Sequence, residues 1–150
     1  MTNIKLDGFD HAILSALSAN GALSNADLSD MVSLSPSQCS RRRARLEQEK
    51  IILGYRAKLN NDALGLGLRA VTRINLLSHS EANAKAFGAF VAASTEIKAA
   101  YSVSGDADYV LIILTQDLKS FANFVHSQLL PFSNVTQVRS EIILQNLKDT

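Results

Sequence analysis

Pro36 constrains this chain more than any other residue. It follows Ser35 and stands two positions before Gln38. Ser-Pro-x-Gln is the signature of a helix start. The serine hydroxyl accepts from the backbone N–H three residues on, and the glutamine side chain reaches back to the serine N–H. Proline takes the first helical position, where its missing N–H costs nothing. The spacing predicts a helix from Pro36 to about Gln48. Cys39, Arg42 or Arg43, and Leu46 recur on one side; Ser37, Ser40, Arg41 and Arg45 lie on the other.

The residues before it fit a helical unit. Phe9, Ile13, Leu14 and Leu17 recur at helical spacing, from a start at Asp7 or Gly8 to the turn signal Asn20-Gly21. Ser24, three residues before Asp27, caps a short second helix carrying Ala26, Leu28, Met31 and Val32. Val32-Ser33-Leu34 is a tight turn. Helix, short helix, turn and capped basic helix is the order of a helix-turn-helix. Ile51, Ile52, Leu53, Tyr55, Ala57 and Leu59, partly alternating with Arg56 and Lys58, read as a linking strand. Asn60-Asn61-Asp62 and Gly65 mark a boundary. The expected domains are residues 1–60 and 61–150.

Charge points the same way. Net charge is only +1, yet residues 35–60 hold Arg41, Arg42, Arg43, Arg45, Lys50, Arg56 and Lys58 against Glu47 and Glu49. From residue 65 onward the two signs balance. A local basic patch on a neutral chain is the footprint of a polyanion. Ser37, Gln38, Ser40 and Arg41 are expected to face a DNA groove, where glutamine can read adenine and arginine guanine or phosphate. Arg42 and Arg45 are phosphate contacts or partners of Glu47 and Glu49. A solvated surface helix has a similar composition; the capped start and the order of elements favour DNA. Arg43, if on the packed stripe, must lay its stem over the core and send the guanidinium outward. Cys39 reads as a small buried hydrophobe.

The second half alternates period two and period 3.6. Leu66 to Ile74 is a half-exposed strand and Ser80 to about Ala93 a helix with Ala82, Ala86, Phe87, Phe90 and Val91 on its apolar stripe. Ile97 to Val103 alternates again, Gly105-Asp106-Ala107-Asp108 is a turn, and Tyr109 to Leu114 is an apolar strand. Asp117 to Leu130 is a helix carrying Leu118, Phe121, Phe124, Val125 and Leu129, stopped by Pro131, and Val135 to Leu144 is the last strand. The fold class is α+β: a helix-turn-helix followed by a ferredoxin-like βαββαβ domain with a four-stranded antiparallel sheet. Two helices cover one sheet face. The other, with Leu or Ile at several positions, is expected to pair with a second copy.

Catalysis has little support. His11, His79 and His126 fall in distant elements, and no His-x-Glu metal pattern, phosphate loop or Gly-x-Ser-x-Gly elbow occurs. No metal site and no cofactor are expected. One cysteine permits no intrachain disulfide. Neither a secretory pattern nor a membrane-length apolar run is seen, so a cytoplasmic protein without membrane association is expected.

These features together resemble the Lrp/AsnC family of transcriptional regulators. The motifs are Leu6-Asp7-x-x-Asp10 with Ile13-Leu14, Ala26-Asp27-Leu28, Leu34-Ser35-Pro36-Ser37-x-Cys39, Arg42-x-x-Arg45-Leu46-Glu47, Ile51-Ile52-x-Gly54-Tyr55-x-Ala57 and Leu64-Gly65. Val103-x-Gly105-x-x-Asp108-Tyr109, Phe124, Leu129-Leu130-Pro131 and Val135 continue the likeness. The resemblance implies a C-terminal domain of the RAM type, double-stranded DNA as partner, and a homodimer assembling to tetramers or octamers. It also implies an amino acid or related metabolite as effector, with Gly105, Asp106, Ala107, Asp108 and Ser140 as candidate binders. Two other functions compete: an architectural DNA-binding protein without ligand, and a metabolite-binding or assembly protein without DNA function. The chain departs from the family at Gln48-Glu49-Lys50, where Glu-Glu-Gly is usual, and at Arg43, where an aliphatic residue is usual.

Overall fold

A computed structural model describes residues 5–78 and 80–148. The chain divides into two compact units at the Leu59–Asn60 junction. The N-terminal unit is three helices: α1 (Gly8–Ala19), α2 (Asn25–Val32) and α3 (Pro36–Gln48). Each opens on a reciprocal capping box, Asp7 with Asp10, Ser24 with Asp27, and Ser35 with Gln38. Each cap satisfies amide groups that the helix itself leaves orphaned. Ser33 ends α2 in the left-handed region at φ 55° and turns the chain into α3. Ile13, Ala16, Leu17, Leu28, Val32, Cys39 and Leu46 form one buried cluster, so the lone thiol is core.

The expected linking strand is not one. Residues 53–60 carry no regular structure and are exposed. A strand exists only as part of a ladder, and nothing among the described residues pairs with this segment. The alternation of Arg56 and Lys58 with apolar neighbours therefore marks an extended, unpaired chain.

The C-terminal unit follows the predicted order: β1 (Leu68–Leu76), α4 (Glu81–Ala93), β2 (Ile97–Ser102), β3 (Tyr109–Thr115), α5 (Leu118–Phe124) and β4 (Val135–Ile142). The strands are antiparallel in the order β2-β3-β1-β4. Ala70, Ile74 and Leu76 of β1 and Leu111 and Ile113 of β3 point to one face and pack under Phe87, Phe121, Phe124 and Leu129. Ala82, Ala86 and Leu118, expected on the helix stripes, are instead exposed. Phe87 anchors α4, rotating its buried side toward Phe90 and Val91. α5 continues through a π-helical turn, Val125–Leu129, and stops before Pro131. His79, expected in a loop, lies outside the described residues.

Candidate nucleic-acid interface and effector concavity

The face of α3 turned from the core carries Ser37, Arg41, Ala44 and Gln48, flanked by Ser40 on one side and Gln38 and Arg45 on the other; all are exposed. Such a surface offers short hydroxyls and a guanidinium beside the positive end of a helix. Gln38 is less available than expected. Its Oε1 accepts from the Ser35 amide at 2.9 Å and from the Ser35 hydroxyl at 3.0 Å. Bidentate reading of adenine needs that oxygen as well as the amide N–H, so Gln38 serves the cap first. Ser35 and Ser37 hydroxyls lie 3.0 Å apart.

Arg42 and Arg45 have partners other than Glu47 and Glu49. Arg42 Nη1 donates to Asp7 Oδ1 at 3.0 Å, Asp7 Oδ2 at 2.8 Å and Asp10 Oδ1 at 2.8 Å. Arg45 Nη2 donates to Asp10 Oδ2. Asp10 is fully buried, and the Arg42 guanidinium also lies 5.5 Å from the Phe9 ring centre. Burial pushes the Asp10 carboxyl up, but the Asp7 amide and the two guanidiniums outweigh it and hold the group below its ordinary value. The Asp10 amide lowers Asp7 likewise, aided by Arg42. Sequence reasoning missed this quartet, although Asp10 stands on the Ile13–Leu17 stripe, where a carboxylate needs a partner.

Arg43 lies half-buried, and its head is held by protein groups instead of being sent out to solvent. Its Nη1 donates to the Leu23 carbonyl at 2.9 Å and its Nε to the Tyr55 hydroxyl at 2.8 Å, while the guanidinium sits 4.5 Å from the Tyr55 ring centre. Tyr55 donates in turn to Glu47 Oε1 at 2.7 Å. The ring packs close to Gly21, where an added Cβ would meet it at 3.3 Å.

In the C-terminal unit, the open sheet face holds a concavity of about 610 Å³ at the β2–β3 turn, lined by Arg73, Asn75, Val103, Asp106, Val110 and Arg139 among others. Arg73 and Arg139 are cross-strand neighbours, as are Asn75 and Gln137. Of the predicted effector residues, Asp106 and Ala107 line this concavity. Gly105 has φ 132°, a conformation that penalises side chains. Asp108 spends one carboxylate oxygen on the Leu76 amide at 2.8 Å. Ser140 is not brought to the turn. Its hydroxyl lies 3.0 Å from Thr72 Oγ1, on the sheet face that carries the helices. Sequence reasoning also missed Arg73 and Arg139, which only strand register brings together.

No helix of the described residues is long and apolar enough to cross a membrane. Residues 6–47 match the model of the AsnC-type helix-turn-helix domain, and residues 69–150 that of the Lrp/AsnC ligand binding domain. The chain is 37% identical over 149 residues to the leucine-responsive regulatory protein of Rhizobium meliloti (strain 1021), covering 99% of this chain and 96% of that one. It is 32% identical over 145 residues to the proline dehydrogenase transcriptional activator of Rhizobium radiobacter, covering 97% and 93%. Among solved structures, a transcriptional regulator of Neisseria meningitidis in complex with L-Met superposes with a TM-score of 0.93 at 34% identity, covering 97% of this chain and 94% of that one. An AsnC family regulator from Agrobacterium tumefaciens gives 0.90 at 28% identity, with the same coverage. With both units matched and the capped basic helix inside the first, the chain belongs to the Lrp/AsnC family and is a DNA-binding transcriptional regulator, not an enzyme.

Proposed function

We propose that this regulator reads duplex sequence with Ser37, Ser40 and Arg41 of α3, and that an amino acid bound at the open sheet face tunes that binding. The observation that carries the DNA reading is the exposed outer face of α3 beside its capped N-terminus. Arg41 makes no ion pair among the described residues, so its guanidinium is available to a base edge or phosphate. Arg45, 45% exposed, keeps one edge toward solvent, while Arg42 is largely committed to carboxylates. Gln38 contributes through its amide N–H. The test selects a preferred site from a random duplex library, then titrates that site and a scrambled duplex at several salt concentrations. Arg41→Ala is expected to lose preference as well as affinity. Equal affinity of the intact protein for both duplexes would refute the reading.

The effector reading rests on charge. Arg73 and Arg139 face one concavity; Glu141 lies 3.4 Å from Arg73, while Arg139 makes no ion pair among the described residues and is the guanidinium left to meet an α-carboxylate. Asp106, on the same rim, suits an ammonium. That the Neisseria relative was solved with L-Met supports an amino acid as ligand class. Val71, Val110 and Ile112, half-buried beside the concavity on the open sheet face, suit pairing with a second copy. Pairing there would close over the ligand and couple binding to assembly into dimers or larger forms. Calorimetric titration with a panel of amino acids tests this, with Arg139→Ala expected to abolish binding.

A further inference from the structure

Three arginines stand on the outward half of α3 and its flank, yet they are not equivalent. Arg42 and Arg45 are tied to Asp7 and Asp10 at the start of α1. Two guanidiniums and two carboxylates make a locally neutral quartet. Asp10 is fully buried, so withdrawing both arginines to reach DNA phosphates would leave a desolvated anion with only the Asp7 amide and no counter-charge. That state is strongly unfavourable, unlike the loss of a surface pair. DNA therefore competes poorly for these two cations.

We propose that Asp7 and Asp10 are specificity-determining residues of DNA binding: by holding Arg42 and Arg45 against α1, they withhold two cations from phosphate contact and leave discrimination to Arg41 and its serine neighbours. The inference rests on α3 being the reading helix, as proposed above. Affinity for any duplex, whatever its sequence, comes chiefly from counterions released when cations neutralise phosphates. A carboxylate that occupies an arginine lowers this indiscriminate part and leaves base contacts intact. The ratio of specific to non-specific affinity rises accordingly. The quartet also joins the cap and first turn of α1 to the middle and last turn of α3, so the same contacts orient the reading face.

The experiment measures binding of the intact protein to the selected and scrambled duplexes between 50 and 200 mM salt, for wild type, Asp10→Asn and Asp7→Asn. Each arginine freed for phosphate adds about 0.9 to the slope of log affinity against log salt, which is about 3- to 4-fold more loss across that range. Asp10→Asn is expected to steepen the slope on both duplexes, to tighten scrambled-duplex binding at low salt and to lower the preference ratio. Asp7→Asn should shift these in the same sense by less. Asparagine caps a helix as well as aspartate, and Asp7 is largely exposed, so this variant tests the inference even if Asp10→Asn fails to fold. In an Arg42→Gln, Arg45→Gln background both effects should vanish, which a purely structural role would not produce. Unchanged slope and ratio in the foldable variants, with Arg41→Ala still damaging, would overturn this inference alone. If Arg41→Ala has no effect either, the assignment of α3 as the reading helix fails first.

Discussion

Lys50 shows how a single residue records a departure from its family. It follows the last turn of α3 at φ 59°, and its amide donates to the Glu47 carbonyl at 3.1 Å while the Ile51 and Ile52 amides reach the Leu46 carbonyl. This is the left-handed exit that glycine takes without penalty. A side chain there costs about 1–2 kcal/mol, partly offset because glycine loses more freedom on folding. Lys50→Gly is therefore expected to stabilise the N-terminal unit by about 1 kcal/mol, read as a rise in the denaturant midpoint of that unit's transition. Arg43, the other departure, is accommodated differently. It is half-buried, and its head finds Tyr55, Glu47 and the Leu23 carbonyl. Tyr55→Phe removes the hydroxyl that accepts from Arg43 and donates to Glu47. A loss of about 1 kcal/mol is expected from those hydrogen bonds, and Tyr55→Ala should cost more by removing the stacked ring.

At the scale of elements, local signals were legible and long-range ones were not. Ser35-Pro36-x-Gln38 and Ser24-x-x-Asp27 announced α3 and α2 because a cap is made within four residues. The four strands and their succession with the helices along the chain followed from period and turns. The segment around Leu53 and Tyr55 misled because alternation describes a chain's two sides, while a strand needs a neighbour. Alanines 82 and 86 misled because a methyl group fits either side of a helix; the bulk of Phe87 decides which side is buried. That Ser37, Ser40 and Arg41 share the exposed outer side of α3 was visible, being set by the helix start. The partners of Arg42, Arg43 and Arg45 were not, since Asp10 and Tyr55 reach them through packing. The α1–α3 joint carries its own pH signature. Asp7 and Asp10 are held below the ordinary carboxyl value of 3.8 in the folded chain. A depressed carboxyl stabilises the fold above its unfolded value and loses that contribution as pH falls through the folded one. The N-terminal unit should therefore be steady at neutral pH and weaken below about pH 4. In Asp10→Asn this acid-induced loss should be shallower, a difference that circular dichroism across an acid series will register.

On the scale of the whole molecule, the proposed reading role of α3 and the proposed pairing of open sheet faces belong together. A three-helix unit presenting one short reading face makes few base contacts, and a symmetric pair presents two at a fixed spacing. In the pairing proposed above, the open sheet face is the surface that joins the two copies. Val71 and Ile112 are directly opposed in register on β1 and β3, away from the helices, and only partly buried within one chain. Under the proposed pairing, Ile112→Asp places a carboxylate in the middle of the interface. Its side chain points away from the core cluster, so the fold of each copy should persist while assembly does not. Sedimentation is expected to show the variant as a monomer. Its affinity for a two-half-site duplex should fall by orders of magnitude, while its affinity for an isolated half-site changes little, because linked sites gain from effective concentration and single sites do not. Amino-acid binding should weaken in the same variant, since the second sheet no longer closes the concavity between Arg73, Arg139 and Asp106. A variant that stays paired, or that loses pairing but keeps full affinity for the double site, would show that this sheet face is not the joint between copies.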